Sequence, residues 1–113
     1  MKKEYEVGGN NLILDGHTQD AKNIIVDVSE KEADGKILRG QVIDLEDGKY
    51  KEHEKDGKVN CIVAGDVSYE AGDDTIVVSC YITGSFRKSA LVTDEEITEA
   101  DEERFRELGI ILG

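Results

Sequence analysis

The sequence predicts a mainly β domain that closes with one short C-terminal helix and is preceded by a mobile N-terminal arm. Three observations carry that reading. Apolar runs rich in β-branched residues recur from residue 24 onward, separated by turns that hold Asp and Gly. After Thr98 the period of two gives way to a helical one. The first 23 residues, with Gly8, Gly9, Asn10 and Asn11 in a polar background, hold no sustained pattern. The expected division is therefore an arm over 1–23 and a folded β domain over 24–113, which suits a chain of 113 residues.

Each element has a local reason. Within the arm, Leu12, Ile13 and Leu14 form an apolar island with no partner nearby in sequence. Residues 24–28, Ile-Ile-Val-Asp-Val, form the first strand. Residues 37–45 form a second strand region, and Gly40 inside it marks a bulge or corner. Asp47-Gly48 supplies the two left-handed residues of a tight hairpin. Residues 51–58 are almost wholly charged and read as an exposed loop, His53 included. Residues 59–67 give another strand. Residues 75–82 give the strongest one, apolar enough that both of its faces are expected to be covered, and Gly84 lets it bend before Phe86.

The helix begins at Thr98, whose hydroxyl and Asp101 three residues later form a capping-box variant. Glu99, Asp101, Glu102 and Glu103 load the positive end of its dipole with anions. Gly109 stops it, and Ile110, Ile111 and Leu112 make a last short strand. The expected core is Ile62, Ile76, Val78, Cys80, Phe86, Phe105, Leu108 and Ile111.

Composition removes several functions. The net charge is −12, and the 14 basic residues are scattered among 26 acidic ones, so no cluster exists to neutralise nucleic-acid phosphates. No apolar run approaches the ~20 residues of a membrane span, and the start of the chain has no apolar signal-peptide stretch. The protein is expected to be made in and released to the cytosol. Cys61 and Cys80 lie within apolar runs and read as reduced core thiols. With no C-x-x-C and with His17 and His53 far apart in sequence, no metal site is expected.

Catalytic signatures are also missing. Glu95-Glu96 and Asp73-Asp74 sit in turns with nothing apolar beside them to shift a pKa. The Asp44–Gly48 segment lacks the calcium-loop spacing. No serine stands in a nucleophile-elbow context, and the four tyrosines are too dispersed for base stacking. The reading is of a protein with no enzymatic activity and no cofactor.

Several short segments then follow in a recognisable order. They are Leu38-Arg39-Gly40; Asp47-Gly48-Lys49-Tyr50; Ile62-Val63-Ala64; Tyr81-Ile82-Thr83-Gly84-Ser85-Phe86-Arg87; and a helix with Phe105 and Leu108 running into Gly109-Ile110-Ile111-Leu112. In this order the chain resembles the head decoration proteins of lambda-type tailed bacteriophages over about residues 36–113. It departs from them in having no proline, in carrying Asn60-Cys61 where a glycine is common, and in its first 35 residues, which do not align.

The resemblance implies a β-clip-like domain that acts as a homotrimer on the outer surface of the expanded virion head. There it would bind the major capsid protein and stabilise the shell against packaged DNA. It further implies an arm that docks on the shell by strand addition, with Tyr5, Val7, Leu12, Ile13 and Leu14 as its apolar contacts. The alternative is a small acidic protein-binding or inhibitor module, which would need its carboxylates in a regular stripe. A trimeric nucleotide hydrolase would need a metal-facing Asp and a nucleotide motif that the sequence does not contain.

Overall fold

The structure is a computed structural model and describes residues 12–14 and 19–113. Over the described residues it is mainly β with one α-helix near the C-terminus, as expected. The strands are β1 (Asp20–Asp27), β2 (Gly35–Ile37), β3 (Val42–Glu46), β4 (Lys49–Glu52), β5 (Val59–Val63), β6 (Val67–Tyr69), β7 (Thr75–Phe86) and β8 (Ile110–Leu112). The helix α1 spans Glu99–Leu108.

The main sheet runs β1-β4-β3-β5-β7-β8, and β1 also pairs with β7, so five strands close into a ring with β8 appended. The closure is unequal. β1 and β7 are antiparallel partners along the whole of β1, from Asp27↔Thr75 to Asp20↔Thr83. On its other edge β1 meets β4 only at Val26↔Tyr50, in parallel. β2 and β6 make a separate two-stranded sheet.

Two apolar clusters occupy opposite faces of this sheet. One lies inside the ring and contains Ile24, Val26, Val28, Ile37, Ile43, Cys61, Val63, Val78 and Cys80. The other lies between the sheet and α1 and contains Leu12, Val42, Val59, Ile62, Phe86, Ile97, Phe105 and Ile110. A bulge in β5 divides its residues between the two. Ile43 faces Cys61 while the next residue, Asp44, faces Val59, so Asn60 is the extra residue. Without that extra residue Val59 would share a face with Cys61; with it, Val59 joins Ile62 under the helix.

Local chemistry explains the turns. Asp47 and Gly48 both have positive φ, 51° and 79°, as the tight β3–β4 hairpin requires. Thr98 accepts from Asp101 N at 3.1 Å, and Asp101 Oδ2 accepts from Thr98 N at 3.0 Å, completing the capping box. Gly109 ends α1 in the left-handed region. Gly84, with φ 135°, bends β7 where a Cβ would press on the Phe86 ring at 3.1 Å.

Five expectations need correction. The folded domain does not start at residue 24. β1 begins at Asp20, because β7 supplies ladder partners to residues whose own polarity gave no strand signal. Residues 37–45 are not continuous, since Arg39-Gly40 forms a turn between β2 and β3, with Gly40 at φ 91°. Residues 59–67 likewise divide into β5 and β6. β7 is not covered on both faces: Val77 is 60% exposed. Ile111 is exposed and Ile110 buried, the inversion that a one-residue error in strand phase produces. Of the other expected core residues, Ile62, Val78, Cys80, Phe86 and Phe105 are buried, while Ile76 and Leu108 are half-buried.

Candidate docking surface and a buried polar node

Three of the segments quoted above, 38–40, 62–64 and 81–87, meet in space around Tyr81. Arg39, in the β2–β3 turn, donates from Nη1 to the Ala64 carbonyl at 2.7 Å and to the Tyr81 hydroxyl at 2.8 Å. Its guanidinium lies 5.5 Å from the centroid of the Tyr81 ring. Tyr81 in turn packs on Phe86 with centroids 5.2 Å apart. Gly40 N donates to Val63 O at 2.8 Å, which brings the same turn onto the end of β5. These residues therefore form one structural joint linking the β2–β3 turn, β5 and β7.

At the far end of β7 lies the root of the N-terminal arm. Leu12 is 1% exposed and belongs to the cluster under α1. Ile13 bridges Phe86 in antiparallel fashion. Arg87 N donates to Leu12 O at 2.7 Å, and Leu14 N donates to Ser85 O at 3.0 Å. The C-terminal strand occupies the same end: Gly113 N donates to Phe86 O at 2.9 Å, and Lys88 N donates to Gly113 O at 2.9 Å.

These contacts change the reading of the arm. Leu12, Ile13 and Leu14 already have partners within their own domain and are not free to serve as an added strand. Tyr5 and Val7 lie outside the described residues. The β7 bend, the Ile13–Phe86 bridge and β8 meet at this end of the sheet.

A second feature was not anticipated. His53, expected on an exposed charged loop, has a side chain only 3% exposed. It follows the end of β4, and its Nδ1 lies 2.7 Å from Asp44 Oδ1. With Asp44 ionised, that ring nitrogen carries the proton and donates. The second Asp44 oxygen accepts from Glu54 N at 2.9 Å. On the other side of the ring, Nε2 lies 3.6 Å from Asp101 Oδ2, the carboxylate that also caps α1. One imidazole thus connects the β3–β4 hairpin to the start of the helix.

Burial raises the Asp44 pKa, opposed by its bonds from Glu54 N and His53. Gly57 packs so close that a Cβ there would lie 1.9 Å from Asp44 Oδ2. The only sequence signal for this node was weak: an Asp on the strand before an Asp-Gly turn, a His just past the strand after it, and a second Asp-Gly pair beyond.

Asp44, His53 and Asp101 resemble a base with two orienting carboxylates, yet no serine, threonine or cysteine hydroxyl or thiol bonds to His53 among the described residues. Cys61 and Cys80 are free, buried and adjacent inside the ring. The Cys80 side chain and burial both push the Cys61 thiol up, so it stays protonated and unreactive. Among the described residues no group of His, Cys, Asp and Glu is arranged to hold a metal ion, and no helix is long and apolar enough to cross a membrane.

Comparison with models of protein families and with curated proteins finds no match for this chain.

Proposed function

We propose that the protein is a capsid decoration protein. It binds the outer face of an expanded phage head as a homotrimer, contacts the major capsid protein, and stabilises the shell without catalysis. The observation that supports this best is the arm root. Leu12 is sealed in the core while Ile13 and Leu14 are stitched to β7, so the chain is anchored immediately after residue 11. A tethered segment carrying Tyr5 and Val7 suits docking by strand addition onto a neighbouring protein. Three such arms on one trimer act through effective concentration, so each need bind only weakly. The net charge of −12 is in keeping with a place on the outside of a shell, away from the genome.

The test is co-sedimentation with empty expanded heads built from the major capsid protein of the same phage. The full chain is expected to coat them. A variant lacking residues 2–11 is expected to keep its melting midpoint and to lose coating. If that variant coats as well as the full chain, the arm does not do the docking. If the full chain fails to bind the heads, the decoration reading is wrong.

A further inference from the structure

We infer that Asp47 is a modification site, where the folded chain isomerises to isoaspartate with age, and that the change opens the thin seam of the ring between β1 and β4. Aspartate followed by glycine is the pair this reaction favours, because a residue without a Cβ leaves its backbone nitrogen open to the preceding carboxyl. The sequence holds four such pairs: Asp15-Gly16, Asp34-Gly35, Asp47-Gly48 and Asp56-Gly57. Asp15-Gly16 lies outside the described residues, and the structure separates the other three.

Two of the three are held. Asp34 Oδ1 accepts from Ala71 N at 2.8 Å, and Gly35 stands in the β2–β6 ladder opposite Tyr69. Gly57 N, the nitrogen that would react with Asp56, donates to Glu54 O at 2.9 Å, and Gly57 packs against the Asp44 carboxylate. Asp47-Gly48 has neither restraint. Both residues are exposed at the tip of the β3–β4 hairpin. Among the described residues neither the Asp47 carboxylate nor Gly48 N has a hydrogen bond, and a Cβ at Gly48 would meet nothing within 4 Å.

The chemistry needs only water. Gly48 N attacks the side-chain carbonyl carbon of protonated Asp47. The nitrogen gives up its proton and the acid its hydroxyl, one water leaves, and a succinimide ring forms. Water then adds at the Asp47 main-chain carbonyl and breaks its bond to nitrogen, so the chain runs on through the side-chain methylene with its mass unchanged. The turn is built for two left-handed residues, with φ of 51° and 79°, and the added backbone carbon does not fit it. Just behind the tip the strands pair at Glu46↔Lys49 and Leu45↔Tyr50, and Tyr50 is also the residue through which β4 meets β1. Loosening the tip therefore reaches the pairing that closes the ring on its weak side. None of this rests on the proposed function.

The experiment ages the full chain at physiological temperature and neutral pH for several weeks, folded in buffer and unfolded in guanidinium chloride. Its peptides are then sorted by electron-transfer fragmentation, which distinguishes the two isomers. In buffer, isoaspartate is expected to accumulate at Asp47 at least about tenfold faster than at Asp34 or Asp56, where local opening must come first. In denaturant the three rates are expected to converge. Asp47→Gly cannot isomerise and keeps a pair that suits this turn. Hydrogen exchange at Tyr50 is expected to quicken in the aged wild type and to stay slow in aged Asp47→Gly. Equal rates in the folded chain, or a faster rate at Asp34 or Asp56, overturn the assignment. So does a spread that persists in denaturant, since sequence and not structure would then set it. Isoaspartate at Asp47 with the same Tyr50 exchange in both aged proteins overturns the link to the seam.

Discussion

Asp44 is the residue whose environment departs furthest from what its neighbours in sequence suggest. It is 1% exposed, it is ionisable, and it holds both His53 and Glu54 N. Because burial raises its folded-state pKa above the ordinary 3.8, its contribution to stability is full below that value and declines as pH rises through the folded pKa. Asp44→Asn removes that titration. The stability difference between wild type and variant is expected to shrink from about pH 3 to pH 6, measured as urea midpoints across that range. A difference that grows with pH would show that the bonds to the carboxylate outweigh its desolvation. Gly57→Ala belongs to the same site. A Cβ there collides with Asp44 Oδ2, so a loss of about 1–3 kcal/mol is expected in equilibrium denaturation. In an Asp44→Ala background the collision is gone and that loss should largely disappear.

At the scale of elements, what was readable in sequence was local chemistry, and what was not readable was partnership. Asp47-Gly48, the Thr98 capping box and the Gly109 stop are each fixed by neighbours within four residues, and all three formed as expected. Thr98→Ala should therefore lower stability by about 1 kcal/mol, seen as a lower thermal midpoint. The start of β1 at Asp20 could not be read, because its strand character comes from β7 far along the chain. The same holds for His53, which sits in a charged run yet is sealed by Asp44 on β3 and Asp101 on α1. The phase of β8 needed one more fact, namely that Gly84 pairs with Ile110. The arm island at Leu12–Leu14 had apolar residues without a local partner; the partner proved to be the end of the protein's own longest strand. Phe86 lies at that junction and is fully buried, so Phe86→Ala should cost about 3–5 kcal/mol in chemical denaturation. Against a whole-domain stability of ~5–15 kcal/mol, that variant would be barely folded.

For the whole molecule, the ring is strong on one side of β1 and thin on the other. β7 pairs with all of β1, whereas β4 touches it only at Val26↔Tyr50. In an antiparallel pair, alternate residues direct their amides away from the partner. Hydrogen exchange along β1 should therefore alternate between Ala21 and Ile25, with amides facing β7 protected and those facing the gap exchanging far faster. Uniform protection would mean that the gap is closed in solution. Truncation provides a second test at this scale. Removing residues 2–11 spares the core, but extending the deletion through Leu14 removes a fully buried leucine. That larger deletion should lose about 2–5 kcal/mol relative to the shorter one, measured by denaturant titration.

The dependence of β1 on β7 also sets an order of events during synthesis. Asp27 leaves the ribosome before Thr75, its partner in the ladder, exists. At ~5–20 residues per second the interval between them is about 2–10 s. Through that interval Ile24, Ile25 and Val26 belong to a nascent chain with no edge to join, and the ring cannot form in part. Acidic side chains on either side, from Asp20 to Asp34, keep neighbouring nascent chains apart while they wait. When β7 emerges it meets β1, β5 and the Leu12 root within one segment, so folding should proceed as a single late step.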